Sequence, residues 1–138
     1  MAIPKDVNAR LYYRVAHQRL QDGKLILERL GRAQAAIYLR GYAVECITKA
    51  LLLSNTPAKE REAVLQSFRG GQGHDLRWLR GQLAQRGTEL PADIARHWAY
   101  AASWTVDIRY QPGPGSGRDA DRFLEAATAI LNWADRRM

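Results

Sequence analysis

Apolar positions recur along almost the whole chain at steps of three and four, the period of an α-helix. From about Val7 to Leu30 they fall at Tyr12, Tyr13, Ala16, Leu20, Leu27 and Leu30. Arg10, Arg14, His17, Gln21 and Lys24 share a second face, which predicts an amphipathic helix with a basic outer stripe. Gly31 allows the break after it. The stretch from Arg32 to Ser54 is much more apolar. Ala36, Leu39, Ala43, Ile47, Ala50 and Leu51 make one stripe, and Ile37, Val44, Cys46 and Leu52 widen it past a single face. Such a helix must be contacted from several sides, and the small residues Gly41, Ala43 and Ala50 permit close approach. Glu45 and Lys49, four apart, are the polar exceptions in its middle. They read either as a local ion pair or as a carboxylate kept in an apolar helix for a purpose.

The rest of the pattern predicts shorter elements. Thr56-Pro57 reads as a helix cap and first turn, followed by a short helix to about Phe68. Gly70-Gly71-Gln72-Gly73 interrupts it, and His74-Asp75 opens a helix with Leu76, Leu79 and Leu83 as its apolar row. Pro91 starts a further long element through Ile94, Trp98, Ala101 and Ile108, ending near Arg109-Tyr110. The segment from Gln111 to Gly117, with two prolines and three glycines, reads as loop. A last helix over about Asp119 to Arg137 carries Ala120, Phe123, Leu124, Ala127, Ile130, Leu131 and Ala134, with acidic residues in its first turn and Arg136 and Arg137 in its last. With no alternating strand pattern and no repeat, the expected fold is all-α: an up-and-down bundle of four long helices and one or two short ones, in a single domain over residues 1–138.

Composition narrows the class without fixing the function. The 138 residues are 46% hydrophobic and 25% charged, a globular composition able to support one core. No apolar run approaches the ~18 residues that span a bilayer, and the first residues lack a signal-peptide layout, so a cytoplasmic protein is expected. The lone Cys46 excludes an internal disulfide and is expected to be a buried, inert thiol. The net charge of +7 is uneven: residues 1–69 hold 12 Lys/Arg against 6 Asp/Glu, and residues 70–138 hold 9 against 8. That asymmetry suits either a solvated surface or a face for phosphates, with Arg10 and Arg14 as candidate ligands. His17, His74 and His97 lie on three segments without metal-ligand spacing, and neither glycine-rich stretch continues into a phosphate-loop motif. No metal or cofactor is expected.

The run from Gly31 through Ala36-Ile-Tyr-Leu-Arg-Gly-Tyr-Ala-Val-Glu45-Cys-Ile-Thr-Lys49-Ala-Leu-Leu52 resembles the second helix of HEPN domains. His74-Asp75-Leu76 resembles the family's H-D-L helix start, and Trp104 through Arg109-Tyr110 its R-Y helix end. The landmarks cover about residues 8–135 in the family's order. The resemblance implies a helical bundle, commonly a homodimer, often encoded beside a small nucleotidyltransferase in toxin–antitoxin or defence pairs. It also implies a candidate activity, because the family's enzymes are metal-independent ribonucleases carrying Arg, four to six residues, then His. In that chemistry His exchanges a proton with the ribose 2′-hydroxyl or leaving oxygen, and Arg neutralises phosphate charge. Arg10-x6-His17 and Arg69-x4-His74 fit the spacing, but 17 arginines among 138 residues produce about one such match by chance. At the family's own position Arg109 is followed by Tyr110-Gln111-Pro112-Gly113-Pro114-Gly115-Ser116, with no histidine.

Two readings of these residues stay open. Arg109 could cap a helix end or pair with a buried Glu45. Alternatively Glu45, His74, Asp75, Arg109 and Tyr110 converge on a polar pocket for RNA, a nucleotide or a partner nucleotidyltransferase. A ribonuclease would use His74 with Arg109 or Arg69, and a purely structural helical module would use none of them.

Overall fold

The computed structural model describes residues 3–104 and 116–138. Its elements are α1 (Val7–Leu30), α2 (Ala33–Ser54), α3 (Arg61–Ser67), α4 (Leu76–Gln85), α5 (Ala92–Trp104) and α6 (Gly117–Asp135). Short 3-10 turns at Ala58–Glu60 and Gly71–His74 precede α3 and α4. No strand occurs among the described residues.

The ends of α1 follow from two residues. Asp6 stays extended and its carboxylate accepts the Ala9 amide at 2.9 Å, satisfying a donor that the first turn leaves open. At the other end Gly31 adopts φ 63° and returns its N–H to the Leu27 carbonyl at 3.0 Å, a left-handed stop that favours glycine. The chain reverses within two residues, so α2 runs back antiparallel to α1. The two helices approach closely at Gly23, where an added Cβ would lie 3.1 Å from both the Ala36 carbonyl oxygen and Arg40 Cγ.

α2 is the centre of the bundle, packed against α1, α3, α4, α5 and α6. That accounts for its near-uniform apolarity, since Ile47, Leu51, Val44 and Ala50 have no solvent-facing side left. Leu76, Leu79 and Leu83 of α4, Trp98 of α5 and Phe123, Ile130 and Leu131 of α6 complete the core. The buried Trp98 indole donates to the Leu76 carbonyl at 3.3 Å, fixing α5 to the start of α4.

Several local expectations are corrected. The Thr56 hydroxyl donates back to the Leu52 carbonyl at 2.6 Å and caps nothing ahead of it. Gly117 belongs to α6, because the Ser116 hydroxyl oxygen accepts the Asp119 amide at 3.4 Å and starts the helix two residues early. α6 also stops at Asp135, so its last turn carries no basic residue. The outer stripe of α1 is split as well. His17 turns to α6, and Arg10 donates to the Pro4 and Lys5 carbonyls at 3.1 and 3.0 Å, while Arg14 stays exposed.

Candidate functional site

Glu45 and Lys49 lie one turn apart on α2 and face the gap between α1 and the α3–α4 connection. Their side chains are only 7% and 5% exposed, and Lys49 Nζ donates to Glu45 Oε2 at 2.9 Å. The ammonium also sits 5.5 Å from the Tyr12 ring centroid and 5.4 Å from that of Phe68. Those rings meet edge to face, 5.8 Å apart. An aromatic corner thus supplies part of what water would give a buried cation, and the carboxylate supplies the rest.

The chain between α3 and α4 brings a third member to this pair. Phe68 ends α3, Gly70 takes φ 86°, and the 3-10 turn folds so tightly that a Cβ on Gly73 would collide with the Phe68 carbonyl. His74 closes the turn with Nδ1 at 3.2 Å from each oxygen of Glu45. An ionised carboxylate can only accept, so Nδ1 carries the proton and Nε2 is left for another partner. The imidazole is 45% exposed, and among the described residues nothing hydrogen-bonds to Nε2. A buried acid orienting a half-exposed histidine is an arrangement in which Nε2 can accept a proton or hydrogen bond from a ligand hydroxyl and, once protonated, donate to a phosphate oxygen.

The structure brings Glu45 and His74 together, and leaves Asp75 out. The Asp75 carboxylate accepts the Arg77 and Trp78 amides at 2.9 and 3.4 Å as the cap of α4. Among the described residues no hydrogen bond or ion pair joins Arg10 or Arg14 to the cluster. Arg69 is exposed beside the Gly70 turn. Arg109 and Tyr110 lie outside the described residues.

Burial sets the chemistry of the neighbours. It pushes the Cys46 thiol from 9.0 up to about 12, with the Glu45 charge adding to the effect, so the thiol is not a nucleophile at neutral pH. Tyr12 is also raised, chiefly by burial and then by the nearby Cys46, Tyr42 and Glu45, and remains a phenol. Among the described residues no three His, Cys, Asp or Glu side chains are grouped to hold a metal ion. No helix there is long and apolar enough to cross a membrane.

A second acid–histidine pair escaped the sequence reading. His17 Nε2 of α1 meets Asp135 Oδ1 of α6 at 3.1 Å, with the carboxylate side chain 1% exposed. The Tyr13 ring lies 4.6 Å from the imidazole, and Asp135 Oδ2 is buried without a partner. The only hint was an acid at the negative end of a helix dipole, which calls for a cation close by. Arg40 was missed too. Its buried guanidinium donates from Nη1 to the Ala120 carbonyl at 2.6 Å, and burial pushes its pKa down despite Asp121 and Glu28.

With that geometry in hand, known structures identify the architecture. No family model and no curated protein matches the sequence. Among solved structures, TT1696 from Thermus thermophilus superposes with a TM-score of 0.69 at 18% identity, over 95% of this chain and 98% of that one. The archaeal HEPN homologue ST0689 gives 0.67 at 21% identity, over 96% and 98%. The chain therefore has a HEPN fold, an all-α helical bundle matched along nearly its full length. At these identities the likeness is one of fold.

Proposed function

We propose that the chain is a HEPN-fold binding domain whose ligand is RNA or a nucleotide, contacted through His74. The observation that carries this is the imidazole itself, tethered through Nδ1 to the buried Glu45, half-exposed, and with no hydrogen bond to Nε2 among the described residues. A net charge of +7, concentrated in the first half of the sequence, adds long-range attraction for a polyanion. The wider reading includes a cytoplasmic homodimer that works with a partner nucleotidyltransferase in a toxin–antitoxin or defence system. The HEPN likeness of a solved neighbour supports that setting only as an analogy.

The test is RNA binding followed by fluorescence anisotropy at low salt, with wild type and His74→Ala. The proposal expects affinity to fall steeply with salt and about tenfold with the substitution, the cost of one lost hydrogen bond. Equal affinity in the two proteins would refute it. Sedimentation of the wild type should give a dimer, and co-expression with a nucleotidyltransferase encoded by a neighbouring gene should pull that protein down.

A second reading, a metal-independent ribonuclease, is favoured by the same tethered histidine, since a carboxylate-held imidazole is suited to proton transfer. RNA cleavage in excess chelator that disappears in His74→Ala would establish it over simple binding. The absence of any RNA effect in either assay would leave Glu45, Lys49 and His74 as structural members of the bundle.

A further inference from the structure

α5 and α6 pack along one another and leave a cavity of about 220 Å³ between them. Arg96, His97 and Tyr100 of α5 line one side, with Arg122, Glu125 and Ala126 of α6 on the other. The cavity opens on a different face of α5 from His74. Trp98 turns toward α4, whereas His97 and Tyr100 turn toward α6.

The charged groups of this cleft are not spent on one another. Among the described residues the side chains of Arg96, His97, Arg122 and Glu125 make no hydrogen bond or ion pair. Arg122 and Glu125 are three apart on α6, the same spacing at which Arg19 and Asp22 of α1 do pair, at 2.8 Å. Arg122 lies instead over the Tyr100 ring, its Cζ 4.1 Å from the centroid. The fully buried Phe123 backs that ring at 5.8 Å. A guanidinium stacked on a fixed ring keeps its N–H edge free for a planar or tetrahedral anion. Arg96 adds a second cation to the same concavity, where a wall of protein strengthens the field.

Glu125 narrows the ligand. A bare anion would be repelled by this carboxylate, whereas an anion carrying hydroxyl groups could donate to it. The volume also points to a small group, being below the ~300–1,000 Å³ of drug-sized pockets. We infer that the α5–α6 cleft binds a ribose phosphate. Its phosphate oxygens accept from the guanidinium groups of Arg96 and Arg122, and its vicinal hydroxyls donate to Glu125.

The test is a titration of the ¹⁵N-labelled protein with adenosine monophosphate (AMP), its 2′,3′-dideoxy analogue and inorganic phosphate, following amide shifts. AMP should perturb residues 96–100 and 122–126, and bind more tightly than either comparator. Arg122→Gln and Arg96→Gln should each weaken AMP about tenfold while leaving the melting temperature in place, since both side chains are exposed. Glu125→Gln should erase the difference between AMP and the dideoxy nucleotide. No shift at millimolar AMP, shifts confined to the His74 turn, equal binding of AMP and phosphate, or indifference to both arginine substitutions would overturn the inference. Shifts confined to the His74 turn would leave the proposed function standing without this cleft.

Discussion

Two buried carboxylates in this bundle hold half-exposed histidines, and they are satisfied to different degrees. Glu45 accepts from both Lys49 and His74, so each of its oxygens has a donor and the ammonium beside it has a counter-charge. Asp135 accepts from His17 through one oxygen and leaves the other buried without a partner. It also stands at the C-terminal end of α6, where the helix dipole opposes a negative charge. The Glu45 cluster is a closed network with one free edge, the Nε2 of His74. The Asp135 pair is an open contact between α1 and α6, with an unmet need on its buried side. Burial of an acid next to a histidine is therefore not by itself the mark of a site. What separates the two is whether the network is complete without the free nitrogen.

The largest expected effect breaks the complete network. Glu45→Gln strips the 5%-exposed Lys49 side chain of its counter-charge and should cost ~3–5 kcal/mol in denaturant unfolding. Adding Lys49→Met should recover most of that loss, because the buried charge is then gone. A double variant as unstable as the single one would break the view of these residues as one unit.

Next comes alkaline stability. The Cys46 thiol holds its proton to about pH 12 in the folded chain, whereas the unfolded chain releases it near its ordinary value of 9.0. The folded state binds more protons across that window, so stability is intact below pH 9 and falls as pH rises toward 12. Tyr12, Tyr13 and Tyr42 are raised chiefly by burial and act in the same direction. Thermal melts of Cys46→Ala should show a shallower alkaline decline than wild type. An identical slope would mean that the thiol is less buried than described.

A smaller loss, ~1 kcal/mol, is expected for Asp75→Ala, which removes the cap of α4 but no contact to Glu45. RNA affinity should survive it, separating Asp75 from His74. Smallest is Asp135→Asn, expected within about 1 kcal/mol of wild type. It keeps an acceptor for the half-exposed His17 while removing a buried charge that the helix dipole opposes. A loss as large as that of Glu45→Gln would erase the contrast between the two pairs.

Much of this was legible in the sequence wherever the information is local. α1 begins and ends as expected because Asp6 and Gly31 act within a turn of the residues that they terminate. The apolar breadth of α2 announced its central place, and Glu45 stood out as its polar exception with Lys49 one turn away. His74 could be tied to Glu45 only through the HEPN resemblance, since 29 residues separate them and no periodicity spans the Gly70 turn. The His17–Asp135 contact bridges 118 residues and carries no motif at all. Arg10 shows the same limit from the other side: its place on α1 follows from the period, but the backbone carbonyls of Pro4 and Lys5 that accept from its guanidinium do not. Side-chain partners across helices come from packing, and helical period alone does not encode them.

The most direct measurement is the long-range ¹⁵N–¹H imidazole spectrum of the protein, recorded free and with a short RNA. The account predicts that free His74 is protonated at Nδ1, with Nε2 open, and that RNA moves the Nε2 resonance of His74 while that of His17 stays fixed. A free His74 protonated only at Nε2, or an RNA response at His17 with none at His74, would contradict it.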